Sequence, residues 1–196
     1  MIIAGAGSAG RETLGILVKY LNYPGEVVFY DDNKNIPPVI NGEYKVIKDE
    51  ESLKRHVKKD PSFCVAIGNP RLRERVFKKF VQMGAEAVNV ISSNVFCLSQ
   101  IENNGTIIQP GAVLSFDVKI GKSCMIHAHC TIGHKVEIGD FVNTGPLVSI
   151  IGPAQIGDFC YIGAGAVILP NIEIGKHVII SAGSIVKRNV QDYECL

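Results

Sequence analysis

His134 stands in the stretch IGHKVEIGDF, followed at once by Lys135 and three residues on by Glu137. A neutral imidazole near pH 7 can take a proton from an amine or hydroxyl as that group attacks a carbonyl, which is general-base chemistry. The plain alternative is a surface histidine on a turn. A second group of residues has the chemistry of a phosphate or sugar site. Gly5-Ala6-Gly7-Ser8-Ala9-Gly10 has the form G-x-G-x-x-G between a short apolar run and a helical pattern. In such loops the backbone amides and the helix N-terminus receive an anion. Asp31 and Asp32 follow the second apolar run, Asp31 lying 21 residues beyond Gly10, and Gly68-Asn69 follow the third. The plain alternative there is a tight turn with a solvated Asp pair. His127 and His129 lie two apart, but no third ligand at a useful spacing accompanies them, and no metal site is expected. His127 follows an inward Ile126 and is expected to face outward. His56 and His177 are expected on exposed faces.

The elements that must position these groups fall into two grammars. Residues 1–92 alternate strand and helix signals. Strands are expected at 2–4, 27–30, 63–67 and 87–91. Helices are expected at 11–21, 51–58 and 72–83, the last turning Val76, Phe77, Phe80 and Val81 inward. Residues 34–48 read as a loop with a short extended piece. This is the pattern of a small, Rossmann-like parallel sheet covered on both faces. About four strands are too few for the two mononucleotide halves of a dinucleotide site, which argues against NAD. A linker rich in Ser and Asn follows.

From about residue 104 a period of six replaces the helical one. Every sixth position from Ile108 to Val186 is Ile, Leu or Val, with the single exception of Thr144. The next residue is often Gly, and the residue two before is small or slender, as in Ala112, Cys124, Cys130 and Cys160. Six residues make a short strand and a turn, and three such units close a triangular coil that stacks on the next at roughly 4.8 Å. The aliphatics should fill the interior of a parallel β-helix over about residues 100–190, in coils of eighteen residues. Gly after the aliphatic is expected to relax the turn. The cysteines in the slender phase are read as core.

Composition narrows the function further. The 196 residues contain 20 Lys and Arg against 19 Asp and Glu, a net charge of +1. That balance gives no footprint for nucleic acid or a membrane surface. The N-terminus lacks a charged n-region, and no apolar run reaches the length of a membrane span, so a cytoplasmic location is expected. None of the six cysteines forms a C-x-x-C pair, and reduced, mostly buried thiols are expected.

Units of the form Ile-Gly-x-x-small-x resemble the hexapeptide-repeat acyltransferases. With IIAGAGSAGRE, FYDDN and VAIGNPRLRERV preceding them, nearly the whole chain resembles the sugar O- and N-acetyltransferases of sialic acid and bacillosamine biosynthesis. The resemblance implies a left-handed β-helix, a homotrimer, and acetyl-CoA as co-substrate in grooves between subunits. It implies a nucleotide-linked amino sugar or sialic acid as acceptor, held by Gly7, Ser8, Ala9, Asp31, Asp32, Gly68 and Asn69. It makes His134 the base, and it places Asn143, Gly152, Ala164 and Ala182 against acetyl-CoA. Relatives often carry Asp or Glu directly after the base, where this chain has Lys135; Glu137 or an acid from another subunit could substitute. Relatives also run on past the final repeats, whereas this sequence stops at Leu196, truncated or naturally short, and weaker acetyl-CoA binding is one expected consequence. Two other readings stay open on the same scaffold: acetylation of a small acceptor without a nucleotide, and a degenerate, non-catalytic binding module.

Overall fold

A computed structural model describes residues 1–196. The N-terminal sheet comprises β1 (Ile2–Ala4), β2 (Val28–Tyr30), β3 (Val39–Ile40), β4 (Tyr44–Ile47), β5 (Ser62–Val65) and β6 (Glu86–Ala87), in the order β3-β4-β2-β1-β5-β6. All pairs are parallel except β3 with β4, which form a hairpin within the expected loop. The sheet grows from β1 first toward β2 and β4, then toward β5 and β6. The carboxyl ends of β1, β2 and β5 flank that switch in direction, where open α/β sheets form their ligand crevice.

The helices have local causes. In α2 (Glu50–Lys59) the Asp49 side chain accepts the Ser52 amide at 2.8 Å, with acids in the first turn and Lys58 and Lys59 in the last. In α3 (Pro70–Gln82) Asn69 caps by accepting the Leu72 amide at 3.0 Å, and Pro70 occupies the first turn. The first helix departs from the expected single span. It is α-helical over α1 (Ser8–Gly15) and a π-helix over Ile16–Tyr20, where the Leu21 amide reaches back to the Ile16 carbonyl. The wider turn shifts the apolar phase, so Ile16 and Leu17 are buried while Val18 and Leu21 face out. In α3 the inward position one turn before Phe77 belongs to Arg73, and Val81 is exposed.

The strand expected at 87–91 is two strands. β6 closes the α/β sheet, and Val90–Ile91 pairs with Ile107–Ile108 as the start of the β-helix. Asn89 makes the turn between them: its Oδ1 accepts the Asn104 and Thr106 amides, and its Nδ2 donates to the Glu102 carbonyl. Residues 93–99, read from sequence as a linker, belong to the first partial coil, with Phe96–Cys97 pairing to Val113–Leu114.

The β-helix has three faces. The docked face, built from Val90–Ile91, Ile107–Ile108, Met125–Ile126, Asn143–Thr144, Tyr161–Ile162 and Ile179–Ile180, carries the N-terminal domain. The apolar face contains Phe96–Cys97, Val113–Leu114, Thr131–Ile132, Ser149–Ile150, Val167–Ile168 and Ile185–Val186. The polar face contains Lys119–Ile120, Val136–Ile138, Ala154–Ile156 and Glu173–Ile174. From Ile107 onward the strand partners stand eighteen residues apart, as in Leu114, Ile132, Ile150, Ile168 and Val186, whereas Val90 and Phe96 of the first partial coil pair with Ile107 and Val113, one residue short of that spacing. These residues are buried together with Cys124, Cys130 and Cys160 in one core. Thr144, the exception in the ladder, is fully buried, and its Oγ1 accepts the His127 amide at 3.1 Å.

The glycines after the ladder aliphatics do not supply the turn. Except before Ile156, the left-handed position lies three residues before each ladder residue; glycine fills it at Gly105, Gly111, Gly165 and Gly183, but elsewhere side chains such as Asp117, Lys135, Phe141 and His177 do, with φ of 56° to 59°. A Cβ on Gly145 would instead lie 2.5 Å from the Ala164 amide nitrogen of the next coil. Close stacking of coils, not turn conformation, demands glycine there.

Candidate functional site

The glycine-rich loop, the Asp31–Asp32 pair and Gly68–Asn69 follow the carboxyl ends of β1, β2 and β5, so the sheet brings all three to one edge. Gly7, Ser8, Gly68 and Asn69 are exposed, and a Cβ on Gly7 or Gly68 would meet no atom within 4 Å. Asp31 is committed to the loop itself: Oδ2 accepts the Ala6 amide at 2.9 Å and Oδ1 the Asn33 amide at 3.0 Å. Asp32 lies exposed beside it. Asn69 spends its Oδ1 on the α3 cap, leaving the amide nitrogen for a ligand.

This edge looks across to the docked face. Gln109 Nε2 donates to Glu12 Oε2 at 2.8 Å, while Gln109 Oε1 accepts the Ala128 amide. Arg73 is fully buried and donates to carbonyls of both domains, Ile67 and Gly68 on one side and Ser123, Phe141 and Val142 on the other, with a longer contact from Nη1 to the Met125 sulfur at 3.7 Å. Burial pushes its pKa down to about 10, so it stays a cation at neutral pH. Asn143 is buried on the docked face with no partner for its Oδ1, and His127 has a buried Nδ1 without a partner. The sequence placed His127 outward, as its strand position requires, but the N-terminal domain covers that face. Burial lowers the His127 pKa, offset partly by the Thr144 hydrogen bond and the Glu12 carboxylate. His56 is likewise half-buried, with no partner on Nε2.

His134 lies elsewhere, on the edge between the apolar and polar faces, exposed and stacked on Phe116 with ring centroids 5.3 Å apart and planes 18° apart. No acid orients it. Glu137 points along the polar face and pairs with Lys119 at 2.7 Å, so it does not take the place of the acid that Lys135 displaces. Lys135 lines a shallow groove with Phe116, Asp117 and Lys119. Beneath His134, Gly152 is buried, and a Cβ on it would overlap the His134 carbonyl. Its lack of a side chain is therefore explained by coil stacking. Ala164 and Ala182 stand exposed on the opposite edge, between the docked and apolar faces. Within one chain the structure thus joins the glycine loop, Asp31, Gly68 and Asn143, but keeps His134 apart from them, across the apolar face.

The cysteines have no part in this arrangement. Burial raises Cys64 and Cys124 to about 12 and Cys160 to about 11, which keeps them as inert thiols. His, Cys, Asp and Glu side chains form no group of three or more able to hold a metal. No helix is long and apolar enough to cross a membrane. Arg73, Glu12 and Gln109 belong to none of the sequence motifs, yet they join the two domains. The only available signal was a basic residue on the inward phase of α3, one turn before Phe77.

Comparisons with known proteins agree with this architecture. Residues 1–80 match the model of the PglD N-terminal domain, and residues 153–188 match the bacterial transferase hexapeptide of six repeats. A GDP-perosamine N-acetyltransferase of Escherichia coli O157:H7 is 34% identical over 151 residues, covering 74% of this chain and 66% of that relative's length. The fold superimposes on WeeI from Acinetobacter baumannii AYE with a TM-score of 0.86 at 26% identity, over 97% of this chain and 92% of that one. It also superimposes on PerB from Caulobacter crescentus in complex with CoA and GDP-perosamine, with a TM-score of 0.87 at 24% identity, over 97% and 90%. With a PglD-type N-terminal domain ahead of a bacterial-transferase hexapeptide coil, and with the relative at 34% identity, the chain belongs to the hexapeptide-repeat sugar acetyltransferases.

Proposed function

We propose that the chain transfers the acetyl group of acetyl-CoA to the amine of a nucleotide-linked amino sugar, as a homotrimer whose active sites lie between subunits. The observation that carries this reading is the split of the candidate residues over the two edges of one apolar face. His134 stands on one edge; Ala164, Ala182 and the acceptor cleft stand at the other. The face between them exposes Phe96, Val113 and Ile185, flanked by Leu98, Phe116, Leu147 and Ile151. An exposed apolar strip of this extent marks an interaction surface. Threefold closure brings the His134 edge of one chain against the Ala164 edge of its neighbour, a heterologous contact that closes into a ring.

In that groove the pantetheine arm runs along the exposed Ala164 and Ala182 backbone. The nucleotide sugar lies along the Gly7–Ala9 loop and Gly68–Asn69, with Asp32 free to bond its ribose or base. The neutral amine attacks the thioester carbonyl, and His134 Nε2 or Nδ1 takes the N–H proton as the C–N bond forms. The C–S bond then breaks and CoA leaves as thiolate, to be protonated by the imidazolium. Phe116 holds the ring where an acid does so in relatives. Asn143, with an unpartnered Oδ1 beside the cleft, is placed to bond the acceptor or the CoA arm. An N-acetyltransferase as relative favours nitrogen over oxygen as the acceptor atom.

The test is release of CoA thiol on mixing the protein and acetyl-CoA with amino sugars linked to GDP, UDP, dTDP or CMP. Turnover with one of them, lost in His134→Ala, is the expected result. Binding of acetyl-CoA with no nucleotide sugar accepted would replace this reading by acetylation of a simpler acceptor. Binding of neither class would leave a non-catalytic module.

A further inference from the structure

We propose that Arg73 is a positioning residue that sets the acceptor cleft of the N-terminal domain against the docked face of the β-helix, and so couples acceptor binding to acetyl transfer. This rests on the function proposed above. Arg73 has no carboxylate partner. Its Nη1 donates to the carbonyls of Ile67 at 2.6 Å and Gly68 at 3.1 Å, in the turn that ends at Asn69. Its Nη2 donates to the carbonyls of Phe141 at 2.6 Å and Val142 at 3.2 Å, directly before Asn143. Nε donates to the Ser123 carbonyl at 2.8 Å, one coil earlier. A single planar fork therefore fixes the backbone on which Gly68–Asn69 and Asn143 are mounted.

The residue's chemistry suits this role better than that of a structural filler. Arginine presents five N–H donors in a rigid plane, whereas lysine offers one flexible ammonium. A buried cation with no counter-ion is costly, and apolar residues commonly fill such sites with equal or greater stability. Here all the hydrogen bonds but the longer one to the Met125 sulfur run to main-chain carbonyls at turns, where geometry rather than packing is at stake. The second clamp, Glu12 with Gln109, ties the helix after the glycine loop to the same face. One clamp thus holds the segment that follows β5 and the other the helix that follows β1.

The test uses Arg73→Lys and Arg73→Met in the full chain, at a temperature well below their melting points. Hydrogen exchange read by mass spectrometry, without substrate, should accelerate by about tenfold or more at residues 66–72 and 141–144, the loss expected for bonds to a charged donor, with under about twofold change in β1 and in the apolar-face strands. With substrates, the KM for the nucleotide sugar should rise about tenfold while the Kd for acetyl-CoA stays within about twofold. Uniform acceleration of exchange along the chain, an unchanged acceptor KM in a folded variant, or loss of folding in both variants would each overturn the proposal in favour of a purely structural role. A wild-type protein that acetylates no nucleotide sugar defeats the proposed function separately, and the exchange pattern still decides whether Arg73 holds the two turns.

Discussion

Asp31 accepts the Ala6 amide at 2.9 Å, tying the end of β2 to the glycine-rich loop that follows β1. The acid that a motif reading assigns to a ribose thus spends its oxygens on holding the loop that faces the ligand. Asp31→Asn is expected to loosen this loop and raise the KM for the nucleotide sugar by about tenfold, the loss of one charge-assisted hydrogen bond. Asp32→Asn is expected to act only through direct contact. Acceptor titration of both variants, followed by calorimetry, checks the difference; equal effects would return Asp31 to the ligand.

His134→Ala should lower kcat by about a hundredfold or more, the range for losing a general base, with little change in melting temperature because the ring is exposed. Phe116→Ala should cost at most about tenfold, since a ring–ring contact is worth only about 1 kcal/mol. Steady-state kinetics of the two variants, alongside thermal melts, check the order. An equal loss in both would mean that orientation, not proton transfer, dominates.

The trimer can be addressed on its apolar face. Ile185 and Phe96 are 57% and 59% exposed in a single chain. Ile185→Asp or Phe96→Asp places a charge in the proposed contact and should shift sedimentation from trimer to monomer at micromolar protein. Because His134 and the acceptor cleft then come from separate molecules, activity should fall with the trimer fraction. A monomeric variant of full activity would remove the proposed intersubunit site.

His127 is half-buried and its pKa is lowered by burial, so the folded state favours the neutral ring. A depressed histidine binds its proton more readily when unfolded, so its contribution to stability is present at neutral pH and is lost as pH falls through the unfolded value, roughly 6.5. His56 is shifted in the same direction, also by burial, and adds to the same window. His127→Asn should reduce the drop in melting temperature between pH 7.5 and 5.5 without abolishing it. Thermal melts across that range check this, and an unchanged pH slope would exclude His127 as a contributor.

Gly145→Ala should destabilise by about 1–3 kcal/mol, the usual range for overpacking, because its Cβ meets backbone rather than a flexible side chain. Gly68→Ala, facing open space, should leave stability nearly unchanged. Urea titrations of both separate coil stacking from any general effect of losing glycine.

Much of this molecule is local in origin and so was legible residue by residue. A six-residue aliphatic period can be satisfied only by a coil whose strands repeat every eighteen residues, which is why Leu114, Ile132, Ile150 and Ile168 could be stacked from their spacing alone. The same holds for the loop, Asp pair and Gly68 turn, each of which simply follows a strand. What the tertiary structure decided are the relations between distant segments. Arg73 reads as an ordinary surface cation on a basic helix until α3 is laid against the coil turns at Ser123 and Phe141, which lie 50 and 68 residues away in the chain. His127 and Asn143 are outward by strand alternation, yet the first is half-buried and the second buried, because a separate domain covers that face. His134 and the acceptor loop are separate motifs in sequence, and only the docked structure puts an apolar face between them. Period and capping depend on neighbours within a few residues, whereas docking depends on which of three similar faces a second domain covers, and no short-range pattern encodes that choice.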